Sequence, residues 1–123
     1  MCSSDLSLVS YLQNELHLQK SIKDPSNIVV VCATAKWCKP CEALAPKYAN
    51  FAGLHLDCIF HKDDIDSDES VHRPLVSSVP TFFIYHKNQR TMITGLDFDK
   101  MTEMVQQFKL ERSTKSNHVS FRN

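Results

Sequence analysis

The segment Trp37-Cys38-Lys39-Pro40-Cys41 constrains this chain most, because it places two thiols two residues apart where an apolar run gives way to a helical one. Before it stands Ile28-Val29-Val30-Val31-Cys32-Ala33, apolar and largely β-branched, which reads as a buried strand. After it, Glu42 to Ala52 reads as a helix with Leu44, Tyr48, Phe51 and Ala52 on one face. Thiols at this spacing in the first turn of a helix can close into a disulfide, and opening that bond moves two electrons. Such a pair is a reaction centre rather than a staple. Cys38 falls at the helix N-terminus, where unpaired backbone N–H groups and the macrodipole favour an anion. Its thiolate is therefore expected to be stabilised relative to a free thiol of pKa ~8.5. Lys36 and Lys39 add positive charge nearby, and Pro40 suits a first turn, where its missing N–H would have had no partner.

The rest of the chain supports one domain. It has 123 residues, enough for a real core, and shows no internal repeat. Fourteen basic and 14 acidic residues cancel, which argues against a nucleic-acid or membrane surface as the main partner. Met1-Cys2-Ser3-Ser4-Asp5 has neither a basic nor an apolar leader region, and no run approaches a membrane span. Five cysteines at irregular spacing do not form a disulfide framework, so the expected setting is a reducing, cytoplasmic one. Cys2 is expected to be an exposed thiol and Cys58 a small core residue. A zinc site on Cys38 and Cys41 would need a second regularly spaced pair, and the six histidines show no ligand spacing.

In chain order, Ser4 or Asp5 can cap a first helix carrying Leu8, Val9, Leu12 and Leu16, ended by the turn cluster Asp24 to Asn27. The helix after the cysteines contains Pro46, expected to kink it, and is ended by Gly53. Leu56 to His61 alternates as a strand, and Asp63 to Glu69 is a solvated stretch feeding a short helix from Ser67 to His72. Val76 to Tyr85 is a loop running into an apolar strand with Pro80 at its first position. His86 to Gln89 turn, and Arg90 to Thr94 return as a hairpin strand. Gly95 breaks it, and Asp97 or Asp99 caps a last helix with Phe98, Met101, Val105 and Phe108 inward. From about Arg112 periodicity is lost, so residues 1–112 form the domain and 113–123 a flexible tail. The whole is an α/β sandwich on a mixed sheet of four or five strands.

Four features, Ala35 to Cys41 with its W-C-K-P-C core, Pro46 five residues on, Val79-Pro80-Thr81, and Gly95 after the hairpin, resemble the thioredoxin family over roughly residues 5 to 110. The resemblance implies a thioredoxin-like fold and a protein disulfide reductase using no cofactor. Cys38 would attack a substrate disulfide and Cys41 would resolve the mixed disulfide. Pro80 would be cis, the Val79 backbone would pair with an extended substrate segment, and Trp37, Lys39, Pro40, Val79, Pro80 and Gly95 would form the docking surface. The partners implied are disulfide-containing proteins and an upstream thiol reductase or glutathione. On the residues alone, Trp37 can also be read as a core aromatic, Pro80 as a trans strand starter and Gly95 as a helix stop. The alternatives in function are an oxidant-leaning relay or disulfide isomerase, and a binding scaffold with vestigial thiols.

Three departures from the family pattern matter. Cys32 stands where a buried aspartate is expected six residues before the nucleophile, and a thiol is a poorer base near neutral pH. Lys62, which would face that aspartate, is left to find Asp63, Asp64 or water. Almost no sequence precedes the first helix to hold the usual first edge strand, so four strands are an alternative to five; with four, the Leu56 strand would be an open edge for a partner or a second copy of an otherwise monomeric chain. Lys39 replaces a glycine between the cysteines, and its charge is expected to make the disulfide somewhat more oxidising.

Overall fold

The computed structural model describes residues 9–24, 26–87, 89–94 and 97–122, with side chains as far as Glu111. Its elements in chain order are β1 (Val9–Tyr11), α1 (Glu15–Ile22), β2 (Val29–Thr34), α2 (Lys39–Leu54), β3 (Ile59–Asp64), a 3-10 turn (Arg73–Leu75), β4 (Thr81–His86), β5 (Gln89–Thr94) and α3 (Phe98–Arg122). The five strands lie in the order β1-β3-β2-β4-β5. β1 and β2 run parallel to β3, and β4 is antiparallel to both β2 and β5.

β2 is central because its apolar residues alternate between two covered faces. Val30 and Cys32 point with Phe60, Phe82, Ile84 and Ile93 to the face closed by Leu44, Tyr48 and Phe51 of α2 and by Met101 and Val105 of α3. Val29, Val31 and Ala33 point with Phe83 to the other face, closed by Leu12, by Leu18 of α1 and by Ile65, Val71 and Val76 from the connection after β3. Full burial of one such Val, Ile or Phe is worth about 1.5–3 kcal/mol, so both faces drive folding. The Tyr48 hydroxyl reaches across the first face to the carbonyls of His61 at 2.9 Å and Val30 at 3.1 Å, joining α2 to two strands.

Several expectations are corrected. Val9 belongs to an edge strand, not to a first helix, and pairs with Phe60; the part of that helix expected before Val9 lies outside the described residues. The helix starts later, at Glu15, capped by the Asn14 side chain, which accepts from the His17 N–H at 3.0 Å. It buries Leu18 and leaves Leu16 63% exposed. The sheet therefore has five strands, and β3 is internal, so its edge is not open. β3 is also displaced along the chain from the expected Leu56–His61: Leu56 is 71% exposed in a turn, while Asp63 and Asp64 close the strand. No α-helix forms over Ser67 to His72, where turns lead to the 3-10 turn at Arg73. α2 ends at Leu54, so Gly53 lies inside it and does not end it. α3 is capped by Asp97, whose carboxylate accepts from the Lys100 N–H at 3.0 Å. Its backbone continues to Arg122, where an aperiodic tail was expected, consistent with extension of a nucleated helix costing far less than its start.

Buried imidazoles hold the N-terminal edge. His61 Nδ1 lies 3.0 Å from Ser10 Oγ and Nε2 2.8 Å from Ser21 Oγ, so one ring links β1, β3 and α1. Burial, with the neighbouring His17 charge adding to it, pulls His61 down to about 4, against the Ser10 hydrogen bond.

Candidate active site

The site lies where β2 hands over to α2. Cys38 is the N-cap of α2, in extended conformation at φ −86° and ψ 109°, and its Sγ accepts from the Cys41 N–H at 3.2 Å. A sulfur thus serves as the capping acceptor that an Asp or Ser side chain usually supplies. Pro40 occupies the first turn, where no donor is missed. Cys38 and Cys41 are joined as a disulfide with their Cα atoms 5.2 Å apart. They are 3% and 6% exposed, so exposure does not rank them; what distinguishes Cys38 is its place on the cap.

The loop before β4 closes over the sulfurs. Val79–Pro80 is a cis peptide bond. The Val79 carbonyl lies 3.8 Å from Cys38 Sγ, and its side chain packs on the cluster of Ala35, Cys38 and Cys41. Pro80 is buried, whereas Lys39 and Pro40 are exposed around the pair. Trp37 is 67% exposed, so it is not a core aromatic. Gly95 and Cys2 lie outside the described residues. Cys58 is buried in the core, as expected.

Behind the pair, Cys32 and Lys62 are register partners on β2 and β3, and Thr34 and Asp64 are the next pair on the same face. Cys32 packs in the cluster with Leu44, Tyr48 and Phe82, and burial pushes its thiol up to about 12 against the pull of the Lys62 charge. Lys62 does not meet Asp63, which points to the opposite face; its Nζ instead lies 5.8 Å from the centre of the Tyr11 ring. A cleft of about 270 Å³ opens beside Cys41, lined by Tyr11, Lys36, Glu42, Lys62 and Asp64.

The opposite face holds a polar chain that the sequence did not suggest. Asp63 Oδ2 accepts from the His72 backbone N–H (2.8 Å) and lies 2.7 Å from the His72 ring Nδ1, while the ring Nε2 lies 2.6 Å from the Tyr85 hydroxyl. Burial by itself would raise the Asp63 carboxyl, but the His72 hydrogen bonds and charge prevail and hold it below the usual carboxylate range. This chain fixes the start of the segment that leads to Val79 and Pro80. Among the described residues no group of three or more His, Cys, Asp or Glu side chains is placed to hold a metal ion, and no helix is long and apolar enough to cross a membrane.

Two thiols that one helical turn holds within bonding distance exchange disulfides with other molecules, and this defines a thiol–disulfide oxidoreductase. Known proteins agree. The family model described as thioredoxin matches residues 9–109. The chain is 36% identical over 101 residues to thioredoxin-1 of Schizosaccharomyces pombe, covering 80% of this chain and 88% of that one. It is 36% identical over 80 residues to a thioredoxin of Geodia cydonium, covering 63% and 76% respectively. The crystal structure of the short form of thioredoxin f from spinach chloroplast superposes with a TM-score of 0.72 at 31% identity, over 82% of this chain and 93% of that one. The chain belongs to the thioredoxin family, whose members reduce protein disulfides with a dithiol.

Proposed function

We propose that this protein reduces disulfides of cytoplasmic protein substrates, with Cys38 as the attacking thiol and Cys41 as the resolving one. The observation that carries this reading is the position of Cys38 as the N-cap of α2. There the sulfur, joined to Cys41 in the structure, accepts a backbone N–H at the positive end of the helix, an arrangement that favours the thiolate once the pair is reduced. Exposed Trp37, Lys39 and Pro40 and the Val79–Pro80 loop surround the sulfurs, and with Gly95 they form the surface on which a substrate segment docks. Residues 1–112 form the working unit, acting as a monomer and recharged by an upstream thiol reductase or by glutathione.

Capture separates this from a scaffold. Cys41→Ser leaves Cys38 able to attack but removes the resolving thiol, so it accumulates substrates from a cell extract as mixed disulfides released by reductant, whereas Cys38→Ser captures none. Failure of Cys41→Ser to capture anything would favour the scaffold. Equilibration of the pair with glutathione then places it: a potential near or below the cytosolic poise of about −220 to −260 mV marks a reductase, and one well above it an oxidant or isomerase.

A further inference from the structure

Resolution of a mixed disulfide from within requires Cys41 to give up its thiol proton. The groups behind it differ in their ability to accept one. Cys32 of β2, packed in the core cluster that α2 covers, is a deeply buried thiol pushed up to about 12, so at neutral pH it is already protonated. Lys62, its register partner, offers as an ammonium only donors. The other direction open to Cys41 is the cleft of about 270 Å³ at its side, large enough for several waters. Two carboxylates line it. Glu42 is exposed on the surface of α2, whereas Asp64 is half-buried at the end of β3, on the sheet face that α2 covers and in register with Thr34. The Asp66 N–H donates to Asp64 Oδ1 at 3.0 Å, which fixes the orientation of the carboxylate.

We propose that Asp64 is the proton acceptor for Cys41 in this protein, reached through water in the cleft, with Lys62 as the positioning cation beside it. The carboxylate that the chain lacks beneath the thiols is thereby supplied from the neighbouring strand. In the mixed disulfide, Cys38 Sγ is bonded to a substrate sulfur. The Cys41 proton passes through water to Asp64, and the Cys41 thiolate attacks Cys38 Sγ. The bond from Cys38 to the substrate sulfur breaks, and its electron pair leaves on that sulfur, which takes a proton from solvent. The protein dithiol is oxidised to its disulfide, the substrate disulfide is reduced to two thiols, and Asp64 returns its proton to water. Besides Asp64 and Lys62, Tyr11 of β1, Lys36 after β2, and Cys41 and Glu42 of α2 are the titratable groups facing this space, while Cys32 of β2 is buried in the core behind it.

The proposal rests on the roles given to Cys38 and Cys41, and its test does not require a protein substrate. Reduced protein in a Cys2→Ser background is mixed with dithiobis-nitrobenzoate, which releases one coloured thiolate when Cys38 attacks and a second when Cys41 displaces the mixed disulfide. Asp64→Asn is expected to leave the first release unchanged and to slow the second by about tenfold to a hundredfold at pH 7. The deficit shrinks as pH rises, because hydroxide replaces the missing acceptor, and Asp64→Glu or an added Cys32→Asp restores the second release. A second release within about twofold of the parent, a deficit equal at every pH, or a slowing seen with Glu42→Gln instead of Asp64→Asn would each overturn it. A protein that shows the Asp64 effect yet fails to reduce protein disulfides keeps this proposal and loses the reductase reading.

Discussion

The two faces of β3 handle their polar residues in opposite ways. On one face His61 and Asp63 are buried and fully engaged, His61 between two serine hydroxyls and Asp63 with the ring and backbone of His72. On the other, Lys62 and Asp64 border a cleft open to water beside Cys41. A buried polar group whose partners are all supplied by the protein can only lock structure, because moving its proton would leave a neighbour unsatisfied. A polar group at the edge of water can change its proton without that penalty. The single-residue alternation of a strand thus separates the groups that hold the loop over the thiols from those that can serve them.

The comparison breaks most visibly on the locked face. His72→Ala leaves the buried Asp63 carboxylate without its imidazole partner, keeping only the backbone N–H of residue 72, and urea unfolding is expected to show a loss of about 3–5 kcal/mol. Removing both residues is expected to cost less than the sum of the single changes, as a double-mutant cycle will show. If His72→Ala costs under about 1 kcal/mol, water reaches Asp63 and the face is not locked.

A somewhat smaller effect is expected from pH. His61 has an ordinary value of 6.5 and sits at about 4 in the fold, so between these values the unfolded chain binds a proton that the folded chain does not. Stability is therefore complete above pH 6.5, declines as pH falls toward 4 and levels off below, by on the order of 3 kcal/mol in total. Unfolding curves across this window check the slope, which is expected to flatten in His61→Gln.

The smallest effect sharpens the contrast from the open face. Cys32→Asp places a carboxylate in register with Lys62, which borders the cleft beside Cys41, and is expected to raise turnover with a disulfide substrate near neutral pH while costing about 1–3 kcal/mol of stability. A steady-state rate that stays the same means that proton removal at Cys41 does not limit the reaction, and Cys32 is then a packing residue.

What the sequence revealed, and what it hid, follows the same division between local and distant contacts. The Val29–Ala33 run, the cysteine pair with Pro40, and the hairpin around His86 each announce themselves within ten residues, and each stands where it was expected. Leu8, Val9, Leu12 and Leu16 carry helical spacing by coincidence. Val9 is extended because β3, fifty residues on, offers its backbone as a partner, and no local pattern records that. Asp63 and Asp64 look like the start of a solvated acidic loop, since a carboxylate betrays nothing of the histidine that will bury it. The Lys62–Cys32 pairing was legible only as an expectation carried by family resemblance, and its environment, with Tyr11 beside the ammonium, required the edge strand to be seen.

The spacing of the two Cα atoms in the first turn of α2, 5.2 Å, has a consequence for how other molecules recognise this protein. One helical turn already provides that spacing, so making or opening the sulfur–sulfur bond asks nothing of the backbone, and α2 begins at the same place in either form. On the function proposed above, a reductase acting on the disulfide form and a client acting on the dithiol form would meet the same contour. On the role proposed for Cys38, the difference between the two forms would be the negative charge on its sulfur, at the helix end that favours it.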